Sequence, residues 1–464
     1  MEHQPPVEET STQPVEQPKA PEAEKPVVSL KISKKPLIIG GVIALLLIAG
    51  GVFAFTSRGN NSEKDKGKEQ ISEQEREAIE RDKGRSTTPE TTADTTSENR
   101  FFAENSEGCV EQDASFTSAP LPEGQLGWIE PMGKVLDGHV TPTDHVYVHP
   151  LNSRAADNTY DVVMPAKGTV VAISAMPASY VGDRQQETAV EDHRLVIAHN
   201  CQYFSIFIHV HKLSPALSAV VGKLDPSTSK KVSIPLEAGA KLGMVGGSAF
   251  DWSLIDTKTT LTGFISPELY DGEPWKIHAI DPLSLYSGAV KTKLEALSMR
   301  SAAPFGGKID NDKAGALVGN WFREGTGGYS SNNKDSSGRY WDGHLSVAPD
   351  YVDDSSTVVS IGNWTNDTAA QYIVKGSADP SAVTKATGPV KYELAAISYV
   401  QPSGAEWTGN EKFVKGVKPI AKGASVGTIM MEVLDGEKIK VEKFPGKTPA
   451  QVTAFTSAAQ TYER

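Results

Sequence analysis

The chain separates into stretches by its hydrophobic pattern. Residues 1–36 mix Glu, Pro, Gln, Lys and Thr with no aromatic residue, a composition that cannot bury enough apolar surface to offset the entropy of ordering. This predicts a disordered tail. The next run, Leu37–Phe55 (LIIGGVIALLLIAGGVFAF), is nineteen residues without a charge. At about 1.5 Å per residue it spans close to the ~30 Å hydrocarbon core, and it predicts a transmembrane helix. A cleaved signal peptide would carry a shorter apolar run of roughly 7–15 residues and a small-residue cleavage site, neither of which is seen. Residues 56–100 return to Gly, Asn, Ser, Thr and mixed charges, the pattern of a solvated linker.

From Phe101 onward the period shortens. Val170–Ser174, Leu195–Ala198, Tyr203–His209, Val358–Gly362 and Ile429–Leu434 are short apolar or alternating runs broken by Gly, Pro, Asn and Asp, and they predict strands. Thr428–Phe444 reads as a hairpin turned at Asp435-Gly436. Ser287–Ser301 is the best helical candidate and falls between two strand-rich blocks. The expected fold class is mainly β: a single transmembrane helix, an antiparallel β domain over 101–286, a helical connector over 287–304, and a second β domain, barrel or sandwich, over 305–464.

Charge and cysteine content narrow the function. With 46 basic and 58 acidic residues the net charge is −12, so a whole-chain basic nucleic-acid binder is disfavoured and no nucleic-acid partner is expected. Lys31, Lys34 and Lys35 crowd the N-terminal flank of the apolar run. By the positive-inside rule they hold the tail in the cytoplasm and send residues 56–464 outside, as a single-pass membrane protein. Outside the cytoplasm a disulfide persists, so the two cysteines, Cys109 and Cys201, are expected to pair. Two thiols are too few for a cysteine-only zinc site.

Eight of the ten histidines lie between His139 and His278. Neutral imidazole is a common zinc ligand, and catalytic zinc sites draw three protein ligands from His and carboxylate; a single histidine on a strand is more often structural. The order of motifs adds to this density. VVMPAKGTVVAI (Val162–Ile173), LVIAH (Leu195–His199), FIHVHKL (Phe207–Leu213) and AGAKLGMVGG (Ala238–Gly247) follow one another in a sequence that resembles the M23 metallopeptidase domain, the LytM-like or duplicated-hybrid-motif peptidases, over residues 130–290. The glycines Gly168, Gly239, Gly243, Gly246 and Gly247 read as hairpin positions where φ > 0 is tolerated.

That resemblance implies a zinc cofactor, a peptidoglycan-like cell-envelope polymer or peptide as partner, and a set of site residues. The family holds zinc with an H-x3-D motif and the second His of a late H-x-H, and a histidine after a strand assists the chemistry. His209 fits the strand histidine and is the expected catalytic residue, with His211 as the other candidate. Where H-x3-D should stand the chain reads GHVTPTDHVYVHP, so His139, Asp144 and His145 are the expected metal ligands, by a His139–Asp144 or a His145/His149 pairing. Where H-x-H should stand it reads SAFDWSLID. Asp251 and Ser253 replace the two histidines, with Asp251 and His278 as substitute ligands. Serine cannot perform the proton transfer of a histidine at neutral pH. The expectation is therefore a catalytically degenerate binding or scaffolding module, with a divergent zinc peptidase as the alternative.

In the C-terminal domain Gly319-x-Trp321 lies on an early strand and Tyr462-Glu463-Arg464 on a late one. This pairing resembles the lipocalin-type up-and-down barrel, in which an Arg closes over the Trp ring. A sandwich with Trp321 and Trp341 in its core is the alternative, and His344 reads as structural.

Overall fold

The structure is a computed structural model that describes residues 113–464 except 137, 177–178, 182–187, 227, 330–339, 366–367 and 377. The tail, the run Leu37–Phe55, the linker and Cys109 lie outside the described residues. Among the described residues no helix is long and apolar enough to cross a membrane.

The chain is mainly β. Thirteen strands come first: β1 (Leu126–Glu130), β2 (Val146–Pro150), β3 (Tyr160–Val163), β4 (Gly168–Ala175), β5 (Ser179–Val181), β6 (Thr188–Val190), β7 (His193–Ala198), β8 (Tyr203–Val210), β9 (Lys212–Leu213), β10 (Thr228–Leu236), β11 (Lys241–Val245), β12 (Phe250–Asp256) and β13 (Ala279–Ile280). Nine follow: β14 (Gly319–Arg323), β15 (His344–Pro349), β16 (Thr357–Thr365), β17 (Thr368–Val374), β18 (Val390–Val400), β19 (Glu406–Trp407), β20 (Lys418–Leu434), β21 (Lys438–Pro445) and β22 (Gln460–Glu463). Among the described residues two α-helices, α1 (Pro215–Val221) and α2 (Gly288–Leu297), accompany short 3-10 turns, and α2 falls in the expected connector.

The first block is an antiparallel sheet in the order β1-β2-β12-β8-β7-β4-β10, with β13 beside β12 and a smaller β3-β11-β9 sheet. Strand β12 (FDWSLID) is buried along its whole length. Its even-numbered side chains face the core, where Trp252 stacks on Phe207 at 5.8 Å and Phe207 on Phe250 at 5.8 Å. Burying aromatic rings of this size stabilises by roughly 1.5–3 kcal/mol each. Asp251 and Ser253 alternate with these rings and bring polar groups to a central strand, while Ile255 further along belongs to the core.

Close packing, more than positive φ, explains the glycines of the motif. Of the five, only Gly239 has φ in the left-handed region. A Cβ on Gly243 would strike the Lys212 carbonyl and the Val210 side chain, and one on Gly247 would strike the Ser153 backbone. They let the small sheet and the 151–158 loop approach the backbone directly.

The second block is a closed eight-stranded barrel. Its strands pair in chain order, β14-β15-β16-β17-β18-β20-β21-β22, and β22 returns to β14; β17 pairs with β18 to leave no gap, and β19 attaches outside the ring. The sandwich alternative is thus replaced by full closure, which removes free sheet edges. Trp321, Leu345, Val347, Ile361, Tyr392 and Ile429 fill the interior with their neighbours. Trp341 is absent from that core and packs instead over Gly138. The hairpin expected at Asp435-Gly436 joins β20 to β21, with Leu434 opposite Lys438.

One end of the barrel is closed by a cation. The Arg464 guanidinium lies 3.9 Å from the Trp321 ring centroid and donates to the carbonyls of Val318 (2.6 Å), Lys313 (2.6 Å) and Ala316 (2.9 Å). Gly319 is glycine for two reasons: its φ is +131°, and a Cβ there would collide with Asp312 and Arg464. The two blocks meet through Tyr351, whose hydroxyl donates to Glu130 at 2.6 Å, through the paired bonds of Arg300 to Asp354, and through Trp128 packed edge-on against Trp407.

Candidate functional site

The histidine-rich region condenses at one end of the first sheet, where β2, β8 and β12 lie side by side. Asp251 is paired in register with Tyr147 on β2 and with Ile208 on β8. His145 immediately precedes β2. Between β7 and β8 the register slips: His193 faces Val210 and Leu195 faces Phe207, which places one extra residue on β8. This bulge puts His209 at φ +71°, a region seldom adopted by a non-glycine residue. Bulges re-aim side chains, and strain of this kind is sustained where surrounding contacts over-determine it.

Those contacts are carboxylates. The His209 Nδ1–H donates to Asp192 at 2.7 Å, and its Nε2 lies 3.7 Å from Asp251 Oδ2. The His145 Nδ1–H donates to Asp144 at 3.0 Å, and its Nε2 lies 3.5 Å from the same Asp251 oxygen. Two imidazoles therefore approach one carboxylate, each braced from behind by another. Burial would lower the His209 pKa, but the bond to Asp192 and the charge of Asp251 push it up to about 9. The His145 pKa is raised by Asp251 and Asp144 against the opposing effect of its burial. Burial would also raise Asp144, but Lys276 and the His145 bond hold it well below the usual carboxylate range. The His209 side chain remains 41% exposed, whereas Asp251 is largely covered.

The other expected residues are placed differently. Asp144 accepts from His145 on one oxygen and from Trp275 Nε1 on the other, at 2.9 Å. His139 sits exposed at the rim with its ring 6.1 Å from that of His145, and no ion pair joins it to Asp144 among the described residues. His149 turns to Glu130 at 3.2 Å and stacks on Trp128, so it does not chelate with His145. His211 donates to Asp157 at 2.6 Å, and His278 donates to the Thr259 carbonyl at 2.7 Å, out of the cluster. His344 is fully buried against Phe322 and Tyr329, and burial pushes its pKa down to about 3, as befits a structural imidazole. Cys201 is not a free thiol.

Sequence reasoning missed Asp192, Trp275 and Lys276. Asp192 ends the turn just before β7, and only the bulge at His209 brings the two together. Lys276 is buried 4.8 Å over the Tyr329 ring and ion-paired to Glu273 at 3.4 Å. Its signal was a lysine next to tryptophan in the segment DGEPWKIH (Asp271–His278).

The ligand set that the resemblance implies for zinc is assembled only in part. Among the described residues no three His, Cys, Asp or Glu side chains are gathered to hold a metal ion. Both oxygens of Asp144 are engaged, whereas the Nε2 atoms of His145 and His209 stand 3.5 and 3.7 Å from Asp251 Oδ2 and the buried His145 Nε2 has no hydrogen-bond partner. The cluster can carry charge and bind polar groups at its exposed His209 edge.

Comparison with known proteins adds no relative: no protein family, no curated protein and no solved structure matches the chain. The class that fold and site define is a mainly β protein with a closed eight-stranded barrel.

Proposed function

We propose that this chain is a membrane-anchored, extracytoplasmic protein, cytoplasmic at its N-terminus, whose M23-like block over 101–286 binds or scaffolds a cell-envelope polymer or peptide without hydrolysing it. The observation that carries this reading is Asp251 on β12, which stands beside His145 and His209 where the resemblance implies a histidine, with Ser253 two residues on along the strand. Losing one positioned acid/base group usually lowers the rate about 10²–10⁴-fold, and here both are absent. The proposed Cys109–Cys201 disulfide would tie the start of the ectodomain to the β7–β8 turn, and closing a loop of roughly ninety residues contributes up to ~4–5 kcal/mol in the chain-entropy account.

A second reading, a divergent zinc endopeptidase, is favoured by one feature. Carboxylates accept from the Nδ1 atoms of His145 and His209, as carboxylates commonly do behind histidines that ligate a metal through the other nitrogen. The two readings part on one experiment with the full-length chain in detergent: sedimentation with insoluble peptidoglycan, and release of cross-linked peptides from it, each with and without chelator. Chelator-resistant sedimentation without release supports the binding module. Chelator-sensitive release that disappears in His209→Ala would move the function to hydrolase.

A further inference from the structure

We infer that the site is not built by the first block alone: Tyr329, carried on the connection between β14 and β15 of the barrel, is a positioning residue that fixes the segment bearing Asp144. The dependence of ligand affinity on Tyr329 rests on the binding-module reading, whereas the bracing of Asp144 does not.

Two segments of the first block meet where Asp144 accepts from Trp275 Nε1 at 2.9 Å, and Tyr329 holds both. Three residues before Asp144, the Thr141 and Tyr329 hydroxyls are hydrogen-bonded at 2.6 Å. Three residues before Trp275, the Gly272 N–H donates to the Tyr329 carbonyl at 3.1 Å. The Tyr329 ring stacks on Tyr270 at 5.6 Å and has the Lys276 ammonium 4.8 Å from its centroid. Thr141, Tyr270, Lys276 and Tyr329 are all buried, and hydrogen bonds are stronger in such low-dielectric surroundings than in water.

The barrel fixes Tyr329 from its other side. Gly328 has φ +57°, and a Cβ there would stand 2.9 Å from the Phe322 ring, so only a bare backbone turns the chain this closely over β14. The Tyr329 ring then packs against Phe322 of β14 at 6.0 Å and against His344, the first residue of β15, at 4.6 Å. Asn320 of β14 donates to the Tyr270 hydroxyl at 3.2 Å and accepts from Ser346 of β15 at 3.0 Å. Further along, the same connection returns to the first block at Trp341, whose ring lies over Gly138, one residue before His139. Residues of the barrel thus hold the Gly138–Asp144 segment at Gly138 and at Thr141. Packed rings and hydrogen bonds of this kind carry a change at Tyr329 to Asp144.

The test uses the full-length chain in detergent. The Trp275 indole N–H is followed by NMR of ¹⁵N-tryptophan-labelled protein, with assignment by Trp275→Phe, and binding by sedimentation with insoluble peptidoglycan. Tyr329→Phe keeps the ring and loses the Thr141 bond; it is expected to speed hydrogen exchange at the Trp275 indole and to weaken sedimentation, each about fivefold. Tyr329→Leu also removes the ring and should move both readouts further. Val441→Ala thins the barrel interior on β21; it should lower the melting temperature and leave both readouts unchanged. If Tyr329→Leu does not fold, Tyr329→Phe decides. An unchanged Trp275 signal in Tyr329→Phe, sedimentation unchanged from that of a wild type that binds, or the same changes in Val441→Ala would overturn the inference. A wild-type chain that does not sediment with peptidoglycan would sink the binding module, and the indole readout would still decide the role of Tyr329.

Discussion

The Arg464 lid of the barrel and the Asp251 cluster of the first block hold charge in opposite ways. Arg464 is a cation satisfied by three backbone carbonyls, the Glu437 carboxylate and the face of Trp321. Its partners are fixed by the closure of the barrel, and the side chain is almost wholly covered. In the cluster, charges of both signs are set against one another, on strands that need a bulge and a left-handed residue to bring them together, and His209 stays partly open to solvent. Charge paired with backbone in a closed shell serves stability, whereas charge paired with side chains at a strained, open edge is available for binding.

The largest test of that contrast is Trp321→Ala. It removes a fully buried indole from the barrel core and should lower unfolding free energy by about 3–5 kcal/mol in denaturant titration. Arg464→Met should follow, at about 2–4 kcal/mol, because it leaves the carbonyls of Val318, Lys313 and Ala316 without their donor. A loss below 0.5 kcal/mol would mean that the lid is decorative. Gly319→Ala adds a Cβ against Asp312 and Arg464 at a positive φ and is expected to lose about 1–3 kcal/mol. In all three variants peptidoglycan sedimentation under folded conditions should be unchanged, and its loss would show that the two regions are not separable.

The smallest effects are in the pH dependence, where the two regions use different windows. Burial pushes Asp312, beneath the lid, up to about 6, with Arg464 opposing the shift. Its folded pKa lies above the unfolded value near 3.9, so the folded state binds the proton more tightly and stability rises as pH falls from about 6 toward 4. His209 has a folded pKa of about 9, above the unfolded value near 6.5. Its contribution is complete below about 6.5 and is lost as pH climbs through 9. Solvent screening of the 41% exposed ring keeps that loss to a degree or two of melting temperature. Asp312→Asn should flatten the acid limb only and His209→Gln the alkaline limb only, as read from melting temperatures between pH 4 and 10.

Parts of both regions were legible beforehand for physical reasons. Gly319-x-Trp321 with Arg464 was readable because the need for a bare backbone beside a large ring under a cation restricts residue types strongly. The turn at Asp435-Gly436 was readable because few residues adopt its positive φ. His209, His145 and Asp251 were each visible as candidates, since imidazoles and a carboxylate are conspicuous on apolar strands. Their pairing was not, because spacing along GHVTPTDHVYVHP left the His139–Asp144 and His145/His149 pairings equally open, while register across β2, β12 and β8 decides which groups meet. Asp192 was invisible because nothing local marks the bulge that turns His209 toward it.

The sequence alone determined that residues 113–464 are mainly β, where several of the strands and the turn at Asp435-Gly436 fall, and which rings and charges are available, because alternation and turn chemistry act over a few neighbouring residues. The tertiary structure decided that the second block closes as a barrel and not a sandwich. It also decided that Trp341 lies outside that core, that the motif glycines serve close backbone approach, and that Asp251 draws in His145 and His209 while His139 and His278 stay apart. These outcomes depend on strand pairing and bulges between residues tens of positions apart, where a shift of one residue turns every side chain to the other face.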